Sequence, residues 1–423
     1  MPTAASSGSS VGSHGSGDSR RQRWWRLTRW TALTLGVLLV AATAGFYGYY
    51  LSLRDDMGAH DLDESLVEEE RPAKISDDVT LLLIGSDGNQ GHDGTYGGQD
   101  FEGERSDALL LMHISPDRDE VTAINFPRDS LVQLPECESY EEADGTAGYY
   151  GMINASLFHG GPPCVVKTIE SLTDIRIDHF AHVGFAGFED MVDAIDGVEM
   201  CLPEPVSDDR AQLDLDEGLQ TLDGAEALAF VRARYELGDG GDRGRIDRQQ
   251  MFLAALAEEV TDTNLLTEPG RVVALLDAVS EHTSTDSDLE LDRILSIGST
   301  LADIDLDDIN FYTVPTWRAP SDPNRVVWNE ELAEPLFQAV ANDQPIDSGF
   351  AAENDSASSE ENSEQATPEP TPSYPAQEEP EDNFPADGGT SGAGIEQRDG
   401  TADPCTDGLG TGTEDTEGGP DPR

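Results

Sequence analysis

The sequence predicts a layered α/β domain that follows a single membrane anchor. Short apolar runs typical of buried strands occur at 79–85, 107–115 and 121–126. Farther along the chain, runs of this kind alternate with segments of helical periodicity, and this alternation is characteristic of α/β domains. An uncharged stretch long enough to cross a bilayer precedes all of them.

The elements after the third strand follow one another in a regular order. Pro162 and Pro163 fit the first turn of a helix that runs to Leu172, and the glycine pair before them is interpreted as a helix stop. Gly197 is placed to cap a helix predicted at 188–196. The other predicted strands are 179–185, 198–203 and 304–315, and the other predicted helices are 245–261, 270–280, 288–301 and 330–341.

Residues 30–53 are predicted to form a transmembrane helix. The run is 24 residues long, whereas about 20 are enough to cross a bilayer, and it has tryptophan at one end and tyrosines at the other. A cleaved signal peptide is the alternative, but its apolar region would be shorter, roughly 7–15 residues. All the arginines of residues 1–29 precede the run, so the positive-inside rule places the N-terminus in the cytoplasm and the rest of the chain outside the cell membrane.

The charge of the chain limits its partners. With a net charge of −60 it lacks the basic footprint that non-specific nucleic-acid binding requires, so no nucleic-acid partner is expected. Its C-terminal part is acidic and has almost no large apolar side chains, which predicts disorder. The predicted organisation is a basic, disordered cytoplasmic segment at 1–29, a transmembrane helix at 30–53, a charged stalk at 54–75, one globular domain at 76–346 and a disordered acidic tail at 347–423.

Five of the 25 basic residues lie close together around a glycine-rich hinge. If the segment before the hinge is extended, Arg232 and Arg234 leave it from one face. After the hinge, Arg245, Arg248 and Gln249 have the i, i+3, i+4 spacing of one helix face. Guanidinium groups bind phosphate or carboxylate oxygens in a bidentate way, so the pattern favours an oxyanion clamp. An arginine network that neutralises local Asp and Glu is the alternative.

Acidic and basic residues also recur where the predicted strands begin or end. Asp87 follows the first strand, Arg105 and Asp107 open the second, and Arg128 follows the third. Ligand sites of layered α/β domains gather at strand ends, although a lone Asp there is more often a turn former or a helix N-cap. Together with the arginine cluster, these residues suit a metal–diphosphate complex, in which Arg neutralises phosphate oxygens and Asp holds Mg²⁺.

Several other chemistries are disfavoured by the motifs that are missing. The sequence has no GxxxxGK[ST] P-loop and no GxSxG motif. Its histidines have no recognisable nucleophile partner. His113 and His182 lie inside strand runs and are predicted to be packed rather than catalytic.

The four cysteines lack the CxxC spacing of metal sites and agree with an exported domain. Cys137 and Cys164 are candidates for a disulfide that ties a polar, glycine- and tyrosine-rich loop to a helix. Cys201 is predicted to be a buried free thiol. Cys405 is predicted to be reactive or linked to another chain.

Seven motifs occur in one order along the chain: LLLIGSD, RSDALLLMHI, INFPRDS, INASLFHGG, VKTIESLTDIRIDHFAHVGFAGFEDMVDAIDGV, LDGAEALAFVRAR and DRGRIDRQQMFL. Together they resemble the LytR-CpsA-Psr family of cell-wall glycopolymer ligases. Each motif alone is modest, but the ordered set is specific and covers about 79–260, with a looser fit to about 341. The cysteine-bearing loop is similar to that of actinobacterial members.

The resemblance implies a fold and an activity. The fold is a three-layer α/β/α sandwich with a central mixed sheet and a pocket for a polyprenyl diphosphate lipid. The activity is transfer of a glycan phosphate from a polyprenyl-diphosphate-linked glycopolymer, such as a teichoic acid or arabinogalactan, to a peptidoglycan hydroxyl. The implied cofactor is Mg²⁺ or Mn²⁺, and the implied partners are the lipid-linked glycan, peptidoglycan and the membrane.

The resemblance also implies roles for residues that the charge pattern singles out. The acidic metal positions match Asp87 and Asp107, and the diphosphate-binding positions match Arg105, Arg128, Arg232, Arg234, Arg245, Arg248 and Gln249. Of these, Arg128, Arg232 and Arg234 are expected to act in catalysis with Asp107. Asp107 is the preferred base for the acceptor hydroxyl and Asp87 the preferred metal ligand, but the two roles are exchangeable. Asn89 stands where many members have Arg, so either the neighbouring arginines suffice or the diphosphate affinity is lower.

Three rival functions stay open at this point. A polyprenyl diphosphate phosphatase would use the same site with water in place of the sugar hydroxyl. A non-catalytic regulator that binds lipid or cell wall would not depend on Asp107 or Arg128. An interaction scaffold would depend on the acidic tail instead.

Overall fold

The computed structural model describes residues 18–56, 58–60, 62, 66–76, 78–86, 104–115, 120–140, 143–208, 211–233, 242–262, 269–302, 304–346, 397–402 and 405. The chain divides into two units, 1–55 and 56–423. In the first unit, helix α1 (Asp18–Asp56) contains Thr28–Tyr49, a segment long and apolar enough to cross a membrane. This segment matches the predicted anchor in place and composition.

Among the described residues, the second unit contains the other α-helices and all the strands. The helices are α2 (Ala155–Thr173), α3 (Phe185–Ala194), α4 (Gly224–Arg232), α5 (Asp242–Asp262), α6 (Pro269–His282), α7 (Leu291–Ala302) and α8 (Glu330–Ala341). The strands are β1 (Gly58–His60), β2 (Val79–Ser86), β3 (Ser106–Ser115), β4 (Glu120–Asn125), β5 (Leu131–Leu134), β6 (Tyr149–Met152), β7 (His179–Gly184), β8 (Val198–Leu202), β9 (Val206–Asp208), β10 (Leu213–Leu215), β11 (Gly218–Leu222), β12 (Thr283–Asp286), β13 (Ile309–Thr313), β14 (Thr316–Ala319), β15 (Asp322–Trp328) and β16 (Gln397–Asp399).

The central sheet is mixed, as predicted. Among the described residues its strand order is β1-β12-β7-β2-β3-β4-β13-β16. Strand β2 pairs antiparallel with β3 and parallel with β7, whereas β4 pairs antiparallel with β3 and parallel with β13. Small antiparallel pairs lie outside this sheet: β5 with β6, β8 with β11, β9 with β10 and β14 with β15.

Alternate side chains of the central strands enter two different cores. Leu82 and Ile84 of β2 join one core with residues of α2 and α8, while Leu81 joins another with residues of α5 and α7. This alternation follows from the two-residue period of a strand, and it makes the near-continuous apolar runs that the sequence shows. Helices therefore cover both faces of the sheet, which confirms the three-layer α/β/α prediction.

Helix α2 is broken where the sequence has two glycines. Gly160 and Gly161 have non-helical backbone angles, and the longer part of the helix begins at the two prolines that follow. A Cβ on Gly160 would lie 2.7 Å from the Cβ of Cys164, so glycine allows the disulfide between Cys137 and Cys164 to pass close to the helix. The predicted helix stop and the predicted disulfide are both confirmed.

Two sequence predictions about the flanks of the domain are wrong. The described residues of the predicted stalk at 54–75, from Leu62 onwards, instead pack on the domain: Leu62 and Leu66 are buried, and Arg71 forms a 2.8 Å ion pair with Glu170. Part of the tail at 347–423 likewise joins the fold, since β16 pairs with the edge strand β13. An open sheet edge offers unpaired backbone groups to any nearby strand, which is why a polar segment is ordered there.

The prediction that Cys201 is a free thiol and Cys405 an unpaired or intermolecular one is also wrong. These two cysteines form a disulfide that closes 204 residues of chain. It joins β8 to the residue that lies six positions beyond the end of β16. Pairing over such a separation has no local signal in the sequence.

Candidate functional site

A cavity of about 410 Å³ opens beside the ends of β2, β3, β4 and β7, between the sheet and helices α3, α4 and α5. Most of its lining is apolar, and its polar side chains come from several separate elements. The apolar side chains include Leu83, Leu110, Val183, Phe185, Phe188, Met191, Leu228, Val231, Phe252 and Leu253. The polar ones are Asp107, Asn125, Arg128, Asp208, Arg232, Arg245 and Gln249. Volume and composition are typical of small-molecule sites.

A β-bulge places Asp107 in the cavity lining. The pairing of β2 with β3 passes from Gly85 opposite Ala108 to Ser86 opposite Ser106, so Asp107 has no partner across the ladder. A bulge bends the strand locally and re-aims the side chain at that point. The Asp107 side chain is 22% exposed, so its carboxylate is accessible from the cavity.

Arg128 binds the carboxylate that the bulge presents. It follows the end of β4, and its Nη1 donates a hydrogen bond to Oδ1 of Asp107. Behind it, Asp129 accepts a 2.6 Å hydrogen bond from Arg325 of β15. One carboxylate and one guanidinium are thus held together at the strand ends, as the sequence predicted for residues of these types.

Arg232 reaches the cavity from a helix end. The condition under which Arg232 and Arg234 would leave one face, an extended segment, is therefore not met at Arg232. A capping box between Asp223 and Glu226 starts helix α4, and Arg232 is the last residue of that helix. The Arg232 guanidinium lies 4.3 Å from the ring centroid of Phe185, close enough for a cation–π contact. Arg234 lies outside the described residues.

The close packing of α4 on α3 depends on a glycine. A Cβ on Gly224 would lie 2.3 Å from the carbonyl oxygen of Glu189, so any side chain there would push the helices apart. The backbone N–H of Gly224 also donates a 2.8 Å hydrogen bond to Asp193. This contact fixes the helix that carries Arg232 against the helix that begins with Phe185.

Helix α5 divides the predicted set of Arg245, Arg248 and Gln249. Arg245 and Gln249, four residues apart, line the cavity. Arg248 does not line it: its side chain is fully buried and donates a hydrogen bond to the carbonyl oxygen of Ala233. Gln249 makes a weaker contact of 3.4 Å with the carbonyl of Val231. Arg248 therefore supports the chain that follows Arg232, and Arg245 and Gln249 are the two members of the predicted set that line the cavity.

The other predicted residues have different positions. Arg105 is partly exposed and does not belong to the cavity lining. Burial, and then the positive charge of Arg105, lower the pKa of His159. Asp87 and Asn89 lie outside the described residues.

A buried polar network supports the same strand ends from the opposite face of the sheet. His182 Nε2 lies 2.9 Å from Ser86 Oγ and 3.0 Å from Glu104 Oε1, and Ser86 donates a hydrogen bond to Glu104. Burial opposes ionisation of Glu104, but the hydrogen bond and charge of His182, with the Ser86 hydroxyl, outweigh it, and the pKa of Glu104 is lowered. His182 is buried, as predicted, but its contacts are polar.

Sequence reasoning missed two polar residues of the cavity. Asn125 ends β4 and Asp208 ends β9, and both are buried where they line the cavity. Asn125 stands in an apolar strand run, so its polarity was a usable signal. Asp208 is one of many acidic residues in an acidic chain, and nothing in its neighbourhood distinguishes it.

The described residues offer limited means of holding a metal. No group of three or more His, Cys, Asp and Glu side chains suited to a metal occurs among them. Asp107 presents a carboxylate at the cavity, and Mg²⁺ is often held by only one or two carboxylates together with substrate phosphates. The donor chemistry of Asp107 thus fits a magnesium ion that shares its coordination with a bound phosphate.

Fold and site together define an α/β/α protein with a largely apolar cavity that also carries several charged and polar side chains. The chain belongs to the LytR_cpsA_psr family, whose model matches residues 49–339.

Several proteins of known sequence or structure are similar to this chain. The probable cell wall biosynthesis protein LcpB of Corynebacterium glutamicum is 34% identical over 274 residues, which are 61% of this chain and 60% of LcpB. The polyisoprenyl-teichoic acid–peptidoglycan teichoic acid transferase TagU of Oceanobacillus iheyensis is 30% identical over 217 residues, 51% of this chain and 61% of TagU. The match thus spans about three fifths of each relative's length.

A solved structure supports the fold. The LytR-Csp2A-Psr enzyme from Actinomyces oris superposes with a TM-score of 0.51 at 21% identity, over 67% of this chain and 96% of that one. At this identity the likeness concerns the fold alone.

Proposed function

We propose that the protein transfers a glycan phosphate from a polyprenyl-diphosphate-linked glycopolymer to a hydroxyl group of peptidoglycan. The observation that carries the proposal is the cavity, in which an apolar interior meets the paired Asp107 and Arg128 and the side chains of Arg232, Arg245 and Gln249. The name of the TagU relative, a teichoic acid transferase acting between polyisoprenyl-teichoic acid and peptidoglycan, supports the same chemistry.

The apolar and polar parts of the site bind different parts of the donor. The prenyl chain enters the apolar cavity, where burial of hydrocarbon contributes about 0.8 kcal/mol per CH₂ group. The diphosphate lies against the polar side chains of the lining, where Arg128, Arg232 and Arg245 hold its oxygens by charge-assisted hydrogen bonds. Gln249 supplies an uncharged donor beside them.

The reaction is a substitution at the phosphorus that carries the glycan. The acceptor oxygen forms a new bond to this phosphorus, and the bond to the bridging oxygen breaks, so polyprenyl monophosphate leaves with the electron pair. Asp107 takes the proton of the acceptor hydroxyl. The arginines stabilise the negative charge that develops on the non-bridging and leaving oxygens.

Mg²⁺ or Mn²⁺ is part of this proposal. Asp87 would hold the ion while Asp107 acts as the base; the family resemblance implies acidic metal positions at both residues, and the two roles are exchangeable. When bound, it would neutralise phosphate charge as a Lewis acid.

The proposal also places the active site outside the cell. Arginines before the apolar segment of α1 favour a cytoplasmic N-terminus. Two disulfides in the second unit agree with an oxidising compartment.

The test uses the full-length protein in detergent micelles, a polyprenyl-diphosphate glycan, peptidoglycan oligomers and Mg²⁺. Arg128→Ala should lower the rate of glycan attachment by about 10²–10³, because one charge-stabilising donor at the reacting phosphorus is lost. Attached glycan and released glycan phosphate are both measured. Arg293→Ala, which removes an exposed arginine of α7, is the matched control and should retain full activity.

Each outcome has a definite meaning. Attachment that falls in Arg128→Ala but not in Arg293→Ala supports the transferase and the clamp. Release of glycan phosphate without attachment by the wild type contradicts the transferase and supports the phosphatase, in which water replaces the acceptor hydroxyl. Lipid binding without turnover contradicts both and supports a regulatory protein.

A further inference from the structure

We infer that the side-chain amide of Asn125 donates a hydrogen bond to the phosphate group that leaves with the prenyl chain. This inference rests on the proposed function and adds a substrate-binding residue to that reaction. Asn125 is the last residue of β4 and precedes Arg128 by three positions, but it is uncharged and so did not belong to the charge pattern of the sequence.

The pairing of the strands directs Asn125 into the cavity. Asn125 pairs with Leu110 of β3, and Leu110 pairs with Leu83 of β2. Residues that pair on adjacent strands project from the same face of a sheet, and all three of these residues belong to the cavity lining. The preceding residue, Ile124, packs in the core on the opposite face. The Asn125 side chain therefore points towards the cavity.

The amide of Asn125 is buried, yet it has no hydrogen-bond partner among the residues that the structure describes. Asn125 is only 4% exposed. Of its neighbours in the sheet, Leu110 is apolar, and the hydroxyl of Thr313 on β13 accepts a 3.0 Å hydrogen bond from the amide of Gln250 instead. Buried polar side chains in native proteins nearly always have a partner, so the Asn125 amide is suited to bind a ligand in the cavity.

The position of Asn125 along the strands determines which part of the donor it can meet. Its partner Leu110 lies two residues farther into β3 than Ala108, which is next to the bulge that presents Asp107. Two residues of a strand span about 7 Å, so Asn125 lies deeper among the apolar side chains than the proposed base. The phosphate that carries the glycan must lie near Asp107, and the phosphate bonded to the prenyl chain lies on the hydrocarbon side of it. The deeper position of Asn125 fits this second phosphate.

A neutral donor is better suited to this position than a charged one. A cationic side chain in apolar surroundings is strongly unfavourable while no anion is bound, whereas an amide is less so. When the bond to the bridging oxygen breaks, the leaving phosphate takes the electron pair. An amide N–H that already points at this phosphate stabilises the added charge.

Binding to the full-length protein in detergent micelles with Mg²⁺ is measured for three probes: farnesyl diphosphate, farnesyl monophosphate and farnesol. Asn125→Ala should weaken binding of both phosphates about 10- to 100-fold, because a hydrogen bond to a charged group is lost. Farnesol has no phosphate, so its affinity should stay within about twofold of the wild-type value. The probes partition into the micelles equally in both samples, so partition does not change these ratios.

Thr313→Val is the matched control, because Thr313 is the parallel partner of Asn125 and does not belong to the cavity lining. It removes the hydroxyl that Gln250 binds, so the melting temperature should fall by about 2–4 °C while the affinities for the three probes stay in the same ratio. Asn125→Ala breaks no hydrogen bond among the described residues and should melt within about 2 °C of the wild type.

A loss of affinity for both phosphates with farnesol unchanged supports the inference. Equal binding of the phosphates by wild type and Asn125→Ala overturns it, as does an equal loss for all three probes. A loss confined to the diphosphate also overturns it, because the amide would then bind the phosphate that carries the glycan.

The transfer assay separates this inference from the proposed function. If the inference holds, Asn125→Ala should raise the donor KM by the factor seen for farnesyl diphosphate. If the wild type attaches glycan and Asn125→Ala has the same donor KM, the inference alone fails. If Asn125→Ala weakens phosphate binding but the wild type attaches no glycan, the proposed function fails and Asn125 is still a phosphate-binding residue.

Discussion

The rim and the wall of the cavity hold a ligand by different physical means. The polar side chains Asp107, Arg128, Arg232, Arg245 and Gln249 of the cavity lining are here called the rim, and its apolar side chains, which include Leu83, Leu110, Phe188, Met191 and Phe252, are called the wall. Rim groups act through directed, charge-assisted hydrogen bonds, so each has a definite partner atom. Wall groups act through buried area, which is non-directional and shared among many side chains.

This difference determines how each region responds to mutation. One truncated rim residue removes an interaction that no neighbour replaces, whereas one truncated wall residue leaves most of the apolar contact in place. The wall is therefore more sensitive to added volume than to removed volume. The predictions below follow from this contrast.

The largest effect is expected at the rim, for Asp107→Asn. The amide keeps an oxygen to accept the hydrogen bond from Arg128, but it cannot take the proton of the acceptor hydroxyl. Single-turnover transfer should therefore slow by about 10²–10⁴, with little change in thermal stability. Rates are measured with saturating donor and acceptor.

Asp214→Asn is the matched control, because Asp214 is an exposed acid on β10. It should retain the wild-type rate. A loss of less than threefold in Asp107→Asn would remove this residue from the catalytic machinery and leave the rim as a binding element only.

A smaller effect is expected at the wall, for Met191→Trp. Met191 is partly exposed on α3, so the larger side chain extends into the cavity without overpacking a core. The displaced volume should exclude several methylene groups of a long prenyl chain, which raises the donor KM about 30- to 100-fold. For a donor with a very short prenyl chain, the KM should be the same in Met191→Trp and in the wild type.

The dependence on chain length distinguishes this variant from a misfolded one. Met191→Leu changes little volume and should behave as the wild type. Equal losses for long and short donors would show that the cavity does not hold the prenyl chain, and the contrast between rim and wall would fail.

The sequence predicted most residues of the rim, but it could not predict which apolar residues form the wall. Charged residues next to apolar strand runs are unusual, and this is what singled out Asp107 and Arg128. Leu110 and Phe252 have the same character as the core residues beside them, because lipid lining and protein core are chemically alike. Whether an apolar residue lines the cavity or belongs to the core depends on tertiary packing, which leaves the cavity open on one side of the lining residues.

Two kinds of error have clear physical causes. Arg248 was grouped with Arg245 and Gln249 by helical spacing, but a face about 100° wide includes both cavity-facing and buried positions. Only the position of Ala233, whose carbonyl Arg248 binds, determines that Arg248 is buried rather than facing the cavity. The pairing of Cys201 with Cys405 was missed because it depends on where the tail lies after the sheet has formed.

The smallest effect is expected behind the rim, for Glu104→Gln. Glu104 bonds Ser86 and His182 on the opposite sheet face from Asp107, and its side chain is 27% exposed. Loss of its charge should reduce the free energy of unfolding by about 1 kcal/mol at pH 7 and slow transfer less than tenfold. Thermal unfolding from pH 3 to 8 measures the effect.

The pH dependence of the free energy of unfolding shows whether the charge of Glu104 causes the stabilisation. The folded protein lowers the pKa of Glu104 below its ordinary value of 4.5, so the stabilisation is fully present above that pH and is lost as the pH falls through the folded value. Wild type and Glu104→Gln should therefore differ most near neutral pH and converge in acid. Glu331→Gln, an exposed acid in the first turn of α8, is the control and should not show this convergence. If the difference in the free energy of unfolding between wild type and Glu104→Gln persists unchanged to pH 3, the charge of Glu104 does not stabilise the strand ends. The shape of its side chain would then stabilise them, by packing, as in the wall.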